Sequence, residues 1–399
     1  MSFLTDFSTK KSITILTALV LAGVWPGVPG LQPPESRAAP ATPAVEEKDL
    51  LAVLPVENLS GGQAPLAAIT GTLKKKLTEQ GIVLLGEDKL SDLMRRHRIR
   101  HTGGISLKTA RAFKEEAGVE AVLLTSLEAY QESEPPQISL ISRLVLSGDK
   151  PRILWMDSVG LSGDESPGLL DLNRIRDGEL LLEQAAGSLT ASLKKYLAGK
   201  AEVPSPAGRV TLRDNLNPEI SVPVGGYDFK KKYRPKSFYR ASDFDPDRPY
   251  KIAVVPFLNH SQRKDAGRII SLHMVRGLRR SPSLTVSEPG LVREQLLKYR
   301  QVMEEGPSLS DAELISSRSS LDADLIISGR VFDFQSITGT PEVDFSVHVI
   351  ESENRRVVWE SRSYNQGDEG VFFFDFGRKH TARDLTVEMT RAVLGLLLK

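Results

Sequence analysis

A chain of 399 residues has room for two or three domains at about 150 residues each. Hydrophobic residues make up 40% and charged residues 26%, ordinary globular usage that excludes a mostly disordered chain and a multi-span membrane protein. Lys and Arg number 52 against 51 Asp and Glu, so no global field draws the chain to nucleic acid or anionic lipid. The absence of cysteine removes disulfides, thiolate metal sites, cysteine nucleophiles and thioether lipid anchors.

Lys10 and Lys11 precede an uncharged apolar run from Ile13 to Trp25, and Pro26, Pro29, Pro33 and Pro34 follow. As a helix the run reaches roughly 20 Å, short of a hydrocarbon core of about 30 Å. With Arg37-Ala38-Ala39-Pro40-Ala41 behind it, the segment 1–38 reads as a secretory signal peptide, an uncleaved membrane anchor being the alternative. Leu21-Ala22-Gly23-Val24 has the outline of a lipobox with valine where the lipid-bearing cysteine would stand, so the expected product is not a lipoprotein.

From residue 48 onward the chain repeats itself. Leu51-Ala52-Val53-Leu54-Pro55-Val56-Glu57-Asn58 aligns with Ile252-Ala253-Val254-Val255-Pro256-Phe257-Leu258-Asn259, 201 positions on. Glu87 and Leu90 match Glu288 and Leu291; Val119-Glu120-Ala121 matches Leu321-Asp322-Ala323; Arg152-Ile153-Leu154-Trp155 matches Arg356-Val357-Val358-Trp359. Gly163-Asp164-Glu165 matches Gly367-Asp368-Glu369, and Asp171-Leu172-Asn173-Arg174 matches Asp375-Phe376-Gly377-Arg378. The spacing drifts by only a few positions and in one direction, as two homologous units require. The reading is a first unit over 48–199, a linker over 200–249 and a second unit over 250–399.

Each unit presents the same signals in order. The opening apolar run, 50–56 or 251–257, lacks polar alternation and predicts a strand buried on both faces. Leu66, Ile69, Leu73 and Leu77 predict a helix. Ile82 to Leu85 reads as a second strand, and two short helical segments follow. A third strand is expected at Ala121 to Leu127 and at Leu325 to Phe332. Hairpins follow over 138–161, turning at Gly148-Asp149, and over 343–364, turning at Glu353-Asn354. The closing helices carry the stripes Leu181, Ala185, Leu189, Leu193, Leu197 and Leu385, Met389, Val393, Leu397. The expected fold class is α/β: two tandem units, each a mixed five-stranded sheet packed by helices. The linker has weak periodicity, with one short strand expected near Glu219 to Val224.

Few residues offer chemistry. His97 and His101 have the spacing of a helical metal pair, but Arg95, Arg96, Arg98 and Arg100 surround them and Gly103-Gly104 ends the helix, so a solvated basic helix end is expected. Asp243, Asp245 and Asp247 resemble the start of a calcium loop, yet Arg248 and Val254 stand where glycine and glutamate belong, and a charged turn is expected. No phosphate loop or nucleophile elbow is present. No catalytic residue, cofactor or metal ligand is assigned. The most unusual composition runs from Phe229 to Arg240. Lys230, Lys231, Lys232, Tyr233, Arg234, Lys236 and Arg240 are the candidate contacts to an anionic partner, while solvated charge with aromatics packed back on a domain is the competing reading. Asp171 with Arg174 and Asp375 with Arg378 recur before the closing helices and read as a structural pair of the repeat. Trp155 and Trp359 read as core or half-buried strand residues.

The "IAVVPF.N" strand, the "E...L" step, the "ADLIISGRV" strand, the hairpin ending in "RVVW" and the "FDFGR" before the last helix resemble one bacterial envelope superfamily. That superfamily includes the TolB amino-terminal domain, CsgG, the LpoB-type activators of penicillin-binding proteins and FlgO. The resemblance spans both units. It implies anticodon-binding-domain-like folds and a non-enzymatic adaptor or assembly factor in the periplasm or envelope of a Gram-negative bacterium. It further implies envelope proteins as partners and self-association; the basic segment adds an expected contact with cell-wall or lipid head groups, and the balanced charge makes nucleic acid an unexpected partner. Two alternatives stay open: a periplasmic small-molecule or nucleotide-binding sensor, and a regulatory activator of a peptidoglycan synthase. A secretion pore is not expected, because no pair of long lipid-facing alternating strands is present.

Overall fold

The apolar runs that open the repeats form β1 (Leu51–Val53) and β7 (Tyr250–Val254). In this computed structural model, which describes residues 50–164, 175–199, 233–298, 322–336, 340–369 and 378–399, each lies parallel to a long central strand. These are β3 (Ala121–Gln131) and β10 (Leu325–Gln335), and the register is the same: Ala52 faces Val122 and Ala253 faces Ile326. The prolines end β1 and β7. The chain then rejoins the central strand as two-residue pieces, β2 (Glu57–Asn58) and β8 (Leu258–Asn259). Both pieces lead into one Asx turn, in which Ser60 N donates to Asn58 Oδ1 at 2.9 Å and Ser261 N to Asn259 Oδ1 at 3.1 Å.

The hairpins follow as predicted. In the first repeat β4 (Gln137–Leu146) pairs antiparallel with β3 and with β5 (Ile153–Ser162). In the second, β11 (Glu342–Glu351) pairs with β10 and with β12 (Val357–Gln366). Helices α1 (Leu66–Glu79) and α4 (Gly178–Leu197) pack on one face of the first sheet, over a core that includes Leu51, Leu123, Leu144, Trp155 and Leu189. Helices α2 (Glu87–Arg96) and α3 (Leu107–Ala117) complete the first repeat. The second repeat has α5 (Ala266–Leu278), α6 (Pro289–Lys298) and α7 (Ala382–Leu397) in corresponding places. The closing stripes are buried, except that Leu197, at the end of α4, is 42% exposed.

Two details depart from expectation. The Ile82 to Leu85 strand reduces to a single bridge, Leu51 with Leu84, because β1 is only three residues long; its counterpart β9 (Leu284–Val286) pairs fully with β7. The second sheet has seven strands rather than five: the two-residue β8 is counted on β10, and β6 (Ser237–Arg240), from the end of the linker, pairs with β12 at the edge. The strand expected at 219–224 and the 1–38 segment lie outside the described residues.

Candidate functional site

Helix α5 is the pivot of the molecule. Its sequence, AGRIISLHMVRGL, is apolar on every side, with Arg and His interspersed. Eleven of its residues are buried, whereas its homologue α1 buries only Ile69, Thr70, Leu73 and Leu77. A helix buried all round must have neighbours on both sides. One side packs on its own sheet, and the other carries polar groups to the first repeat.

These groups form a seam of charge. The Arg268 guanidinium donates to Glu57, which also accepts from Ser126 Oγ at 2.8 Å and lies 3.5 Å from His101 Nδ1. His273 Nε2 lies 2.9 Å from Glu128 Oε1, with both side chains at most 2% exposed. Arg276 donates to Asp157 at 3.0 Å, and Ser192 Oγ donates to the same carboxylate at 2.7 Å. Arg383, in the first turn of α7, donates to the carbonyl and hydroxyl oxygens of Ser158, both at 2.7 Å. The most enclosed pair runs the other way. Arg143, in the middle of β4, clamps Glu288 in bidentate fashion at 2.9 and 3.0 Å and reaches Gly103 O at 2.7 Å. Beside it two glycines let the backbones meet: a Cβ on Gly104 would lie 2.8 Å from Gly290 Cα.

Burial and neighbouring charges together set the protonation of Glu57, His101 and Asp157. Burial would raise the Glu57 carboxyl, but Arg268 and His101 outweigh it and hold it below its ordinary range. Burial, helped by Arg293, Arg268 and Arg143 and opposed by Glu57, brings His101 down to about 4, so its imidazole is neutral at neutral pH. Asp157 likewise stays ionised: burial raises it, and Arg276 with the Ser192 hydroxyl more than compensates.

The residues singled out from sequence fare differently. His97 and His101 do not converge: α2 ends at Arg96, His97 Nε2 sits 2.5 Å from Glu116 Oε1, and His101 turns to Glu57. Asp243 pairs with Arg356 at 2.6 Å, and Asp245 accepts from Asp247 N at 3.0 Å, the local bonding of a turn. Among the described residues no three His, Cys, Asp or Glu side chains gather as metal ligands. Trp155 and Trp359 are buried.

Of the basic aromatic segment, Lys230, Lys231 and Lys232 lie outside the described residues. Tyr233 is buried, Lys236 is 3.7 Å from Glu369, and Arg240 donates to the carbonyls of Leu396 and Leu397 at the end of α7. Arg234 is half-buried just before β6. Asp171, Arg174 and Asp375 lie outside the described residues, and Arg378 is half-buried ahead of α7. Sequence reasoning passed over Arg143, Glu128, Asp157, Arg268, His273 and Arg276. An arginine inside the apolar run Ile138 to Leu146 was the signal available for the first of them.

No family model and no curated protein matches the chain. Solved structures do. The PelC dodecamer from Paraburkholderia phytofirmans is 18% identical, with TM-score 0.28, over 41% of this chain and 95% of its own. The lipoprotein GNA1162 from Neisseria meningitidis is 16% identical, with TM-score 0.28, over 38% of this chain and 99% of its own. The LpoB C-terminal domain from Escherichia coli is 21% identical, with TM-score 0.24, over 29% of this chain and 83% of its own.

Proposed function

We propose that the protein is a non-enzymatic envelope component that acts through protein contacts, with the division 48–199, 200–249 and 250–399 as its domain plan. One observation carries this reading. Of the side chains best suited to acid–base work, Glu57, Asp157, His273 and Glu288 are spent on ion pairs and contacts that join one repeat to the other, and His101 lies against Glu57 within the first. At the end of the linker Lys236, Phe238 and Tyr239 are exposed, the two aromatics by more than half, and they offer the contact region. The envelope assignment rests on the motifs that resemble the TolB and CsgG superfamily and on the apolar leader.

The test is cell fractionation followed by crosslinking and pull-down. The protein should leave the cytoplasm and capture envelope proteins. Replacing Lys230, Lys231, Lys232 and Arg234 by Ser should weaken that capture in a salt-sensitive way. Retention in the cytoplasm, or capture indifferent to these changes, counts against the reading.

A further inference from the structure

The outer edge of β5 is not left to water. The guanidinium of Arg279 donates to Leu154 O at 2.9 Å, and that of Arg383 donates to Ser158 O at 2.7 Å, both reaching across from the second repeat. The homologous carbonyls on β12 belong to Val358 and Arg362. These accept instead from Ala241 N at 2.9 Å and Lys236 N at 2.8 Å, the residues that flank β6. The same edge position thus receives a neighbouring unit in one repeat and the linker strand in the other. In the second repeat the edge has moved outward by one strand.

β6 is last in the sheet order, and among the described residues nothing pairs with its outer side. Its central residues, Phe238 and Tyr239, are 55% and 54% exposed, and successive strand residues point to opposite faces. Arg240 pins the strand to the end of α7. From Tyr233 to Arg240 the chain holds three cations, Arg234, Lys236 and Arg240, and no acid.

We infer that the outer edge of β6 is a protein-docking edge, and that its occupant is an extended, acidic segment of a partner protein added as a further strand. Unpaired main-chain N–H and C=O groups call for a strand. An aromatic on each face gives alternate side chains of that strand something to pack on. Pro235 and the charges of Lys236 and Arg240 keep two such edges from pairing with each other, and the same charges favour carboxylates. The inference rests on the adaptor reading and deepens it by naming the class of partner.

The full chain is titrated with three dye-labelled peptides, followed by fluorescence anisotropy: an alternating Glu-Val heptapeptide, its Lys-Val counterpart and an acidic helix-forming peptide. The Glu-Val peptide should bind at least about tenfold more tightly than the other two, weaken about tenfold between roughly 50 and 300 mM salt, and slow amide exchange at 237–240. Phe238→Ser with Tyr239→Ser should lower its affinity about tenfold while leaving the melting temperature unchanged, since both side chains are exposed. Equal binding of the helical or Lys-Val peptide, or no protection of β6, overturns the inference. If the Glu-Val peptide fails while envelope proteins are still captured, this inference falls and the adaptor reading stands; if capture fails too, both fall.

Discussion

Arg143 and Glu288 are 1% and 0% exposed and are each other's principal partner. Removing one strands a charge in a dry site, so Glu288→Ala should cost about 3–5 kcal/mol, while Arg143→Met with Glu288→Leu together should recover most of it. Urea titration at unchanged slope reads both. His101 gives a pH dependence of definite sign. Its imidazole titrates near 4 in the folded chain and near 6.5 when unfolded. Between those values the unfolded state holds a proton that the folded state refuses, so stability is complete above about 6.5 and declines as pH falls toward 4. The loss is on the order of 3 kcal/mol. Glu57, held below its ordinary value, adds to it at the acid end. Urea midpoints at about pH 7.5, 5.5 and 4.5 should fall in that order, and His101→Gln should flatten the first part of the slope. The recurrence of Glu87 and Glu288 was legible in the sequence, but their fates were not. One is 67% exposed beside Lys74, and the other is buried against an arginine 145 positions away, a partner no local pattern reveals.

Among elements, the contrast of α1 with α5 decides which substitutions are tolerated. Gly71 lies mid-helix on the outer side of α1, with open space where a Cβ would stand, so Gly71→Ala should stabilise by about 0.5–1 kcal/mol. Gly290, at the start of α6, has the Ile105 backbone in that place. Gly290→Ala must push the seam apart and should cost at least about 1–3 kcal/mol by overpacking; thermal melts of both variants beside wild type give the comparison. The central strands, hairpins and closing helices were readable because each buries a face along its own length and so prints a period of two or of 3.6 in the sequence. β6 was not readable. Four residues with exposed aromatics carry no such period, and their extended form is imposed by the β12 edge. The face of α5 toward the first repeat was hidden for a related reason: its apolar and basic residues fit a buried helix, but only the fold says what covers it.

At the scale of the whole molecule, the core around α5 draws on both repeats. Leu54, Ile105, Phe113 and Val122 from the first belong to one cluster with Ile252, Phe257, Ile270 and Phe345 from the second. The first repeat keeps a separate core beneath α1 and α4, which contains no residue of the second. These two facts predict the order of failure. While the seam is intact, opening the second repeat uncovers Arg143, Glu57 and Asp157 with their partners removed, so neither repeat gains by unfolding alone. Calorimetry should then show one transition, with a calorimetric to van't Hoff enthalpy ratio of about 1. Gly290→Ala separates the backbones at the seam without touching the α1 and α4 core, so it should split the transition. The later component should belong to the first repeat, identified by the slower amide exchange of β3 and β4. Two transitions in the unaltered chain would mean that the buried ion pairs do not couple the repeats, and that duplication produced two neighbours instead of one cooperative body.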